Sequence, residues 1–446
     1  MIEVVRKYID QNQLLTKKEL VIVGISGGAD SAALLHMLVS MGYQCIAAHC
    51  NFKLRGEESD RDELFTDNYT HILQVPLRTI VFETKQYALN NHLSIEMAAR
   101  ELRYAWFEEL RKEYNAQAIA VAHHRDDSIE TLLINLTRGS GLCGLTGIRP
   151  RNGYVVRPLL PLSREDVFSY IDSNKLSYVT DSTNSSDIYT RNFIRLKVLP
   201  LLAQINPSIK ASLARTADHL GEAEIIFKHV INEARNKVIQ DNSLSIDALM
   251  EFPAPKTILF ELLKPYGFTR LVTEDIFSSL DKDSGKLFYS DSYRLLKDRS
   301  FLLIDSLDKH EQQCFTLDIV EGHIIVPIEL IFSKLVINKD FLIERNLNFA
   351  YFDYDKLKFP LTLRHWKEGD WFVPFGMTGR KKLSDYFSNN KFSLFDKEKI
   401  WLLCNGEDII WIVGERPDNR YRIDKSTKKV LKVNFLDKKG FTCKTI

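Results

Sequence analysis

The chain carries almost no excess of charge: 60 lysines and arginines stand against 59 aspartates and glutamates, a formal net charge of +1 over 446 residues. That balance excludes a protein that draws nucleic acid through an overall positive field, so any such partner has to be gripped by local patches. Cysteine is scarce. The six, Cys45, Cys50, Cys143, Cys314, Cys404 and Cys443, form no Cys-x-x-Cys pair. Their scatter argues against a zinc or iron–sulfur site, and in a reducing compartment they read as buried small hydrophobes. No apolar run approaches a membrane span, and the first twenty residues, MIEVVRKYIDQNQLLTKKEL, lack the apolar core of a signal peptide. No membrane partner and a cytoplasmic location are therefore expected. Internal repeats, low-complexity tracts and long Gly/Ser/Pro linkers are also missing.

What the chain does contain is ordinary globular material, 45% hydrophobic and 27% charged, long enough for about three domains on the usual length prior. Strand-like runs at 20–25, 44–49, 77–82, 118–122 and 154–159 alternate with helical patterns, notably 94–114 and 126–138. That alternation predicts an α/β catalytic domain with a doubly wound parallel sheet over residues 1–190. Helical spacing, including Ser208 to Asn236, dominates from about 192 to 305 and predicts a helical domain over 191–315. Short strand runs such as DIIWIVGE and KVLKVNF, separated by Gly, Asn and Asp, then predict a small C-terminal α/β domain over 316–446.

The stretch VIVGISGGADSAALLHML, residues 21–38, holds the first chemical signal. An apolar strand runs into Ser26, Gly27, Gly28, Ala29, Asp30 and Ser31, and helical spacing follows. The glycines let the backbone approach an anion closely at a helix start, where unpaired N–H groups and a partial positive charge gather, and Asp30 or Ser31 could cap the helix. The loop has neither the Gly-Lys-Ser/Thr ending of a Walker A motif nor Gly-x-Gly-x-x-Gly, and the same residues would also serve a plain strand-to-helix turn.

Other segments belong at the same sheet edge, where open α/β sheets bind ligands. HCNFKLRGEESDRDE follows the second strand with Asn51, Arg55 and Asp62. Glu96, Arg100 and Arg103 fall on one face of a helix, and AHHRDDSIET places His123, His124, Asp126, Asp127 and Glu130 after a buried strand. Arg138 precedes a flexible Gly139-Ser140-Gly141 run.

Together these motifs resemble one family. SGGADS is similar to the pyrophosphate-binding loop of the PP-loop ATP pyrophosphatases. LRGEESDRDE, the pattern Glu96, Arg100, Arg103, Tyr104, then AHHRDDSIET, TRGSG, RPLLPLSRED, DSTNSSDIYTRNFIR, PFGMTGRKKLSDYFSNNK and IIWIVGERPDNRYRI follow the order of the tRNA(Ile)-lysidine synthase family over nearly the whole chain. The resemblance implies ATP, with Mg²⁺, as cosubstrate and a two-step ligation. The C2 carbonyl oxygen of the wobble cytidine in an isoleucine tRNA with a CAU anticodon is adenylylated, and the side-chain amine of L-lysine then displaces AMP.

On that resemblance residues 26–31 hold ATP, and Asp30, Arg103 and Asp127 are the catalytic candidates. Arg103 would neutralise the α-phosphate, and Asp127 would either bind metal or accept the amine proton. Arg100, Glu130 and Arg138 are neighbours, and the metal ligands stay unassigned. Two departures stand out: Phe52 replaces a histidine frequent in the family, so an essential role there is in doubt, and Ser128 replaces a frequent Gln. RNA contacts are expected from Arg191, Asn192, Arg195 and Lys197, and from Arg380, Lys381 and Lys382 beside Tyr386 and Phe387, whose rings would either stack on bases or be buried. A homodimer is compatible with the resemblance. The rival readings are a related PP-loop thiolase acting on tRNA cytidine and a non-catalytic protein that binds ATP and tRNA.

Overall fold

The computed structural model describes residues 1–180, 190–307, 314–318, 320–338, 341–344 and 346–436. The DSTNSSDIY part of one motif (181–189), the proposed boundary at 190 and Cys443 border or lie outside them. The described chain forms two compact units, Met1–Lys228 and His229–Ile446.

The first unit is built on a six-stranded sheet in the order β3-β2-β1-β4-β6-β5. Its strands are β1 (Val21–Gly24), β2 (Cys45–Asn51), β3 (Leu77–Val81), β4 (Ala118–Ala120), β5 (Arg151–Asn152) and β6 (Val155–Val156). β1 pairs in parallel with β2 and β4, and only the edge strand β5 runs antiparallel. The alternating pleat sorts side chains between two apolar layers. Val21, Val23, Cys45, Ala47, Ala118 and Ala120 enter one core with α1 (Ile2–Gln11), α2 (Ala29–Ser40) and, later in the chain, α7 (Arg164–Ser173). Ile22, Ile46, Ala48 and Ile119 enter the other with Trp106, Phe107 and Leu110. Those three lie on α5 (Ile95–Glu113), which follows α3 (Glu57–Ile72) and α4 (Thr84–Asn90). The sheet is thus doubly wound, and its strands end where the expected loops lie.

α6 (Arg125–Thr137) follows β4. Its Ile129, Leu132 and Leu133 pack on Ile194, Leu199 and Ala217 from the segment that continues as α8 (Thr190–Phe193), a π-helical turn at Ile194–Val198, α9 (Leu199–Ile205) and the 30-residue α10 (Ile209–Val238). The helical expectation therefore holds as far as Val238. Beyond it, five antiparallel strands between Ile239 and Ser306 join the three helices Ile246–Met250, Pro255–Leu263 and Arg270–Phe277. Runs such as Tyr293–Asp298 and Phe301–Ser306 form a hairpin whose register is set by pairing, information that helical spacing does not carry.

The C-terminal part holds two four-stranded antiparallel sheets around Phe332, Phe352, Leu363 and Trp411. A neighbouring cluster of Phe372, Leu383, Tyr386, Phe387 and Phe392 is also buried. Tyr386 and Phe387 are therefore core residues, which removes them as stacking platforms for bases. The cysteine expectation is corrected in part: Cys45 and Cys404 are buried, but Cys143 and Cys314 are exposed. Among the described residues no helix is long and apolar enough to cross a membrane.

Candidate active site

The chain leaves β1 at Gly24 and turns through Ser26, Gly27 and Gly28 into α2. Gly27 sits at φ +84°, and a Cβ there would lie 3.0 Å from Val179 Cγ2 and 3.3 Å from Phe65 Cδ1, so both conformation and space demand glycine. The loop is laced by its serines: Ser31 Oγ donates to the Gly28 carbonyl at 2.9 Å and accepts from Ser26 N at 3.2 Å.

Gly28 is the N-cap residue of α2, and no side chain caps the helix. Neither Asp30 nor Ser31 performs that task, because both already lie inside the first turn. The consequence is an N-terminus whose first N–H groups have no intrahelical partner, facing a cleft with the helix dipole behind them. That arrangement receives an anion.

Asp30 completes the loop. Its Oδ1 is buried without a hydrogen-bond partner and lies 3.7 Å from His124 Nε2. Burial raises the Asp30 pKa and Asp127 adds to the rise, against His124, Arg164 and Arg195. A buried acceptor with nothing to accept from is the kind of atom that a cation beside phosphates would satisfy.

α6 brings the second cluster. His124 is its N-cap: Nδ1 accepts from Asp127 N at 3.4 Å while Asp127 Oδ2 accepts from His124 N at 3.0 Å, a closed capping box. Asp126, only 4% exposed, has a different job. It accepts from Arg164 N at 2.9 Å and pairs with Lys210 at 2.6 Å, tying α6 to α7 and α10. Glu130, fully buried, forks onto Arg195 at 2.6 and 3.0 Å and lies 3.6 Å from Arg191. Arg195 in turn reaches to 3.8 Å from Asp127.

Two of the arginines expected to grip RNA thus stand against the carboxylates of α6. The signal that could have found this was the spacing of Asp127 and Glu130, two acids on one turn that require buried cations. Arg138 and Glu96 lie exposed, Arg138 beyond the end of α6 and Glu96 on the first turn of α5.

Arg103 joins from α5. Its guanidinium lies over the Phe52 ring, 5.2 Å from the centroid, and Phe52 stacks on Phe82. Phe52 therefore supplies an aromatic face beneath the arginine, a role open to Phe although proton transfer is not. Ser128, the other departure, accepts from Ile148 N at 2.9 Å.

Two adjoining clefts share Ser26, Cys50, Phe52 and Arg103. One, of about 330 Å³, is lined by Gly24, Gly28, Asp30, Ser31, Tyr104 and His123. The other, of about 500 Å³, is lined by His49, Asn51, Arg55, Asp62 and Lys85. The phosphate loop thus opens onto space for more than one substrate. Burial pushes the Cys50 thiol up to about 12, so it is no thiolate.

An uncapped glycine loop at the carboxyl edge of a doubly wound sheet, with a carboxylate and an arginine beside it, defines a nucleotide-dependent enzyme of the PP-loop class, and the PP-loop domain model matches residues 2–202. The models for the TilS substrate binding domain and the TilS substrate C-terminal domain match 239–307 and 361–433. The chain is 62% identical over 437 residues to the tRNA(Ile)-lysidine synthase of Parabacteroides distasonis, covering 98% of this chain and all of that one. It is 48% identical to the enzyme of the same name from Bacteroides thetaiotaomicron, over 95% and 97% of the two chains. The chain belongs to the tRNA(Ile)-lysidine synthase family.

Proposed function

We propose that this protein is an ATP-dependent carbon–nitrogen ligase that joins lysine to C2 of the wobble cytidine of a tRNA(Ile) with a CAU anticodon, forming lysidine and releasing AMP and pyrophosphate. The observation that carries the reading is the open N-terminus of α2, with Asp30 and Arg103 on the same cleft, in a chain alignable from end to end with lysidine synthases.

In the first step the cytidine O2 attacks the α-phosphorus and pyrophosphate leaves. The residue 26–31 loop supplies N–H donors and Arg103 a forked cation to the charge that builds on the phosphates. Asp30, through its unpartnered Oδ1, fits Mg²⁺ bound together with the nucleotide, and such an ion would neutralise phosphate charge. In the second step the lysine amine attacks C2, and AMP departs carrying the former O2. The amine has first to lose a proton, and Asp127, fixed in its capping box on the first turn of α6, is the carboxylate we assign to it. Residues 191–315 and 316–446 are assigned to the tRNA.

The thiolase alternative asks for cysteine sulfur, and neither a Cys-x-x-Cys pair nor a thiolate at Cys50 supports it. The deciding experiment supplies ATP, Mg²⁺, radiolabelled lysine and a CAU-bearing tRNA(Ile) transcript. Label retained in RNA after mild base, and lost with Asp30→Ala, is the expected result; label removed by base, as from an aminoacyl ester, would overturn it.

A further inference from the structure

Arg157 is a buried cation with no part in the reaction as derived so far. It follows β6, is 7% exposed, and donates through Nη1 to the Arg149 carbonyl at 2.9 Å and through Nε to His123 Nδ1 at 3.3 Å. A guanidinium has no lone pair to offer. His123 Nδ1 must therefore be the acceptor, which places the ring proton on Nε2. With Nδ1 tied to Arg157, the nitrogen left for the cleft that His123 lines, beside Ser26, Gly28, Asp30 and Arg103, is a donor.

We propose that His123 is a donor-only residue of the adenylylation step, locked by Arg157 in its Nε2–H tautomer to hydrogen-bond a non-bridging oxygen of the ATP α-phosphate. Arg157 is accordingly a positioning residue. The surroundings agree. Burial lowers the His123 pKa to about 4, and Arg157, Arg191 and Arg100 add to the fall against the opposing charge of Asp127. A second proton would have to enter at Nδ1, against the guanidinium. The ring is thus neutral wherever the enzyme works, and it adds a hydrogen bond at the phosphate without another full charge beside Arg103. As a base it is excluded, since Nδ1 is held by Arg157 and Nε2 carries the ring proton.

The proposal rests on the ligase reading, and its test separates the two. Ring ¹⁵N NMR of the full-length protein reads the tautomer directly, without any activity. Expected is an Nε2–H signal for His123 unchanged between pH 5.5 and 8.5; an Nδ1–H tautomer or a titration in that range would overturn the lock. The functional arm measures tRNA-dependent pyrophosphate release in a single turnover. Loss of one preorganised donor costs about a hundredfold or more in rate, so His123→Leu is expected to fall by about that factor at saturating ATP. His123→Gln, whose Oε1 can accept from Arg157 while Nε2 donates, should recover most of the rate. Equal rates for wild type and His123→Leu, or a Gln variant as slow as Leu, would sink the donor role. Wild-type protein that makes no base-resistant lysine product would instead remove the ligase reading and leave the tautomer result standing.

Discussion

Among the helices that follow parallel strands of the first unit's sheet, α2, α6 and α7 start differently. α6 and α7 are closed by reciprocal capping boxes, His124 with Asp127 and Ser163 with Asp166. α2 begins on Gly28 with no side-chain cap. A capped terminus spends its N–H groups on its own side chains, whereas an open one keeps them for a ligand. The difference lies in which residue precedes the helix, and in the proposed reaction it separates the end assigned to phosphate from the end that carries Asp127. α3, preceded by Gly56, and α4, preceded by Glu83, also lack a side-chain cap.

The sharpest way to break this comparison is to close α2. Gly28→Asp puts a carboxylate at the N-cap; the backbone there is extended, φ −72° and ψ 161°, and a Cβ meets only Ser26 Oγ at 3.5 Å. Stability should change by no more than a few tenths of a kcal/mol, as for other Gly and Asp caps. Nucleotide affinity should fall by more than a hundredfold, because the new charge occupies the site and repels phosphate. Calorimetric titration with ATP and a thermal melt test both halves; retained affinity would show that α2 does not hold the anion.

A loss of similar size is expected at Asp30, where stability and function pull apart. Its raised pKa means that the folded protein prefers the neutral carboxyl, so stability is fully present below the unfolded value near 3.8 and is lost as pH rises through the folded pKa. Asp30→Asn removes that cost. The apo variant should melt a few degrees above wild type at pH 7.5, the gap should close toward pH 4, and lysine incorporation should drop at least a hundredfold, as when a charge-stabilising group is lost. A variant that melts below wild type at every pH would show that Asp30 supports the fold.

Loosening the tie between the two capped helices sharpens the other side. Lys210→Met strips the cation from Asp126, a nearly buried carboxylate that also accepts from Arg164 N. Breaking such a pair from one side costs more than the pair itself contributes, about 1–3 kcal/mol for an unsatisfied buried group. Urea denaturation should register that loss, with turnover reduced only several-fold because Asp127 keeps its own cap.

Much of this was legible beforehand because it is local. The glycine loop, the strand ends and the doubly wound order follow from residue type and apolar period, and β1, β2 and α6 form within a few residues of their expected limits. The partner of a charge is not local. Arg195 reads as a basic residue for RNA until the fold sets it against Glu130, 65 positions away, and Asp126 and Asp127 look alike until one meets Lys210 and the other His124. The five strands between Ile239 and Ser306 were missed for the same reason, since hairpin pairing leaves little trace in helical spacing.

The mildest expected effect concerns the basic patch of the second unit, stripped of its aromatic partners. Tyr386 and Phe387 are buried, and Lys381 lies over the Tyr386 ring at 5.6 Å, so the patch offers charge rather than stacking. Charge contacts to phosphate weaken steeply with salt, whereas stacking does not. Lys381→Glu with Lys382→Glu should therefore weaken tRNA binding by about tenfold at low salt, flatten the salt dependence by about two counterions, and leave ATP affinity untouched. If the double variant binds tRNA with an unchanged salt slope, the phosphates are held elsewhere. Arg380 and Arg420, both over the Trp371 ring, would then be the next cations to replace.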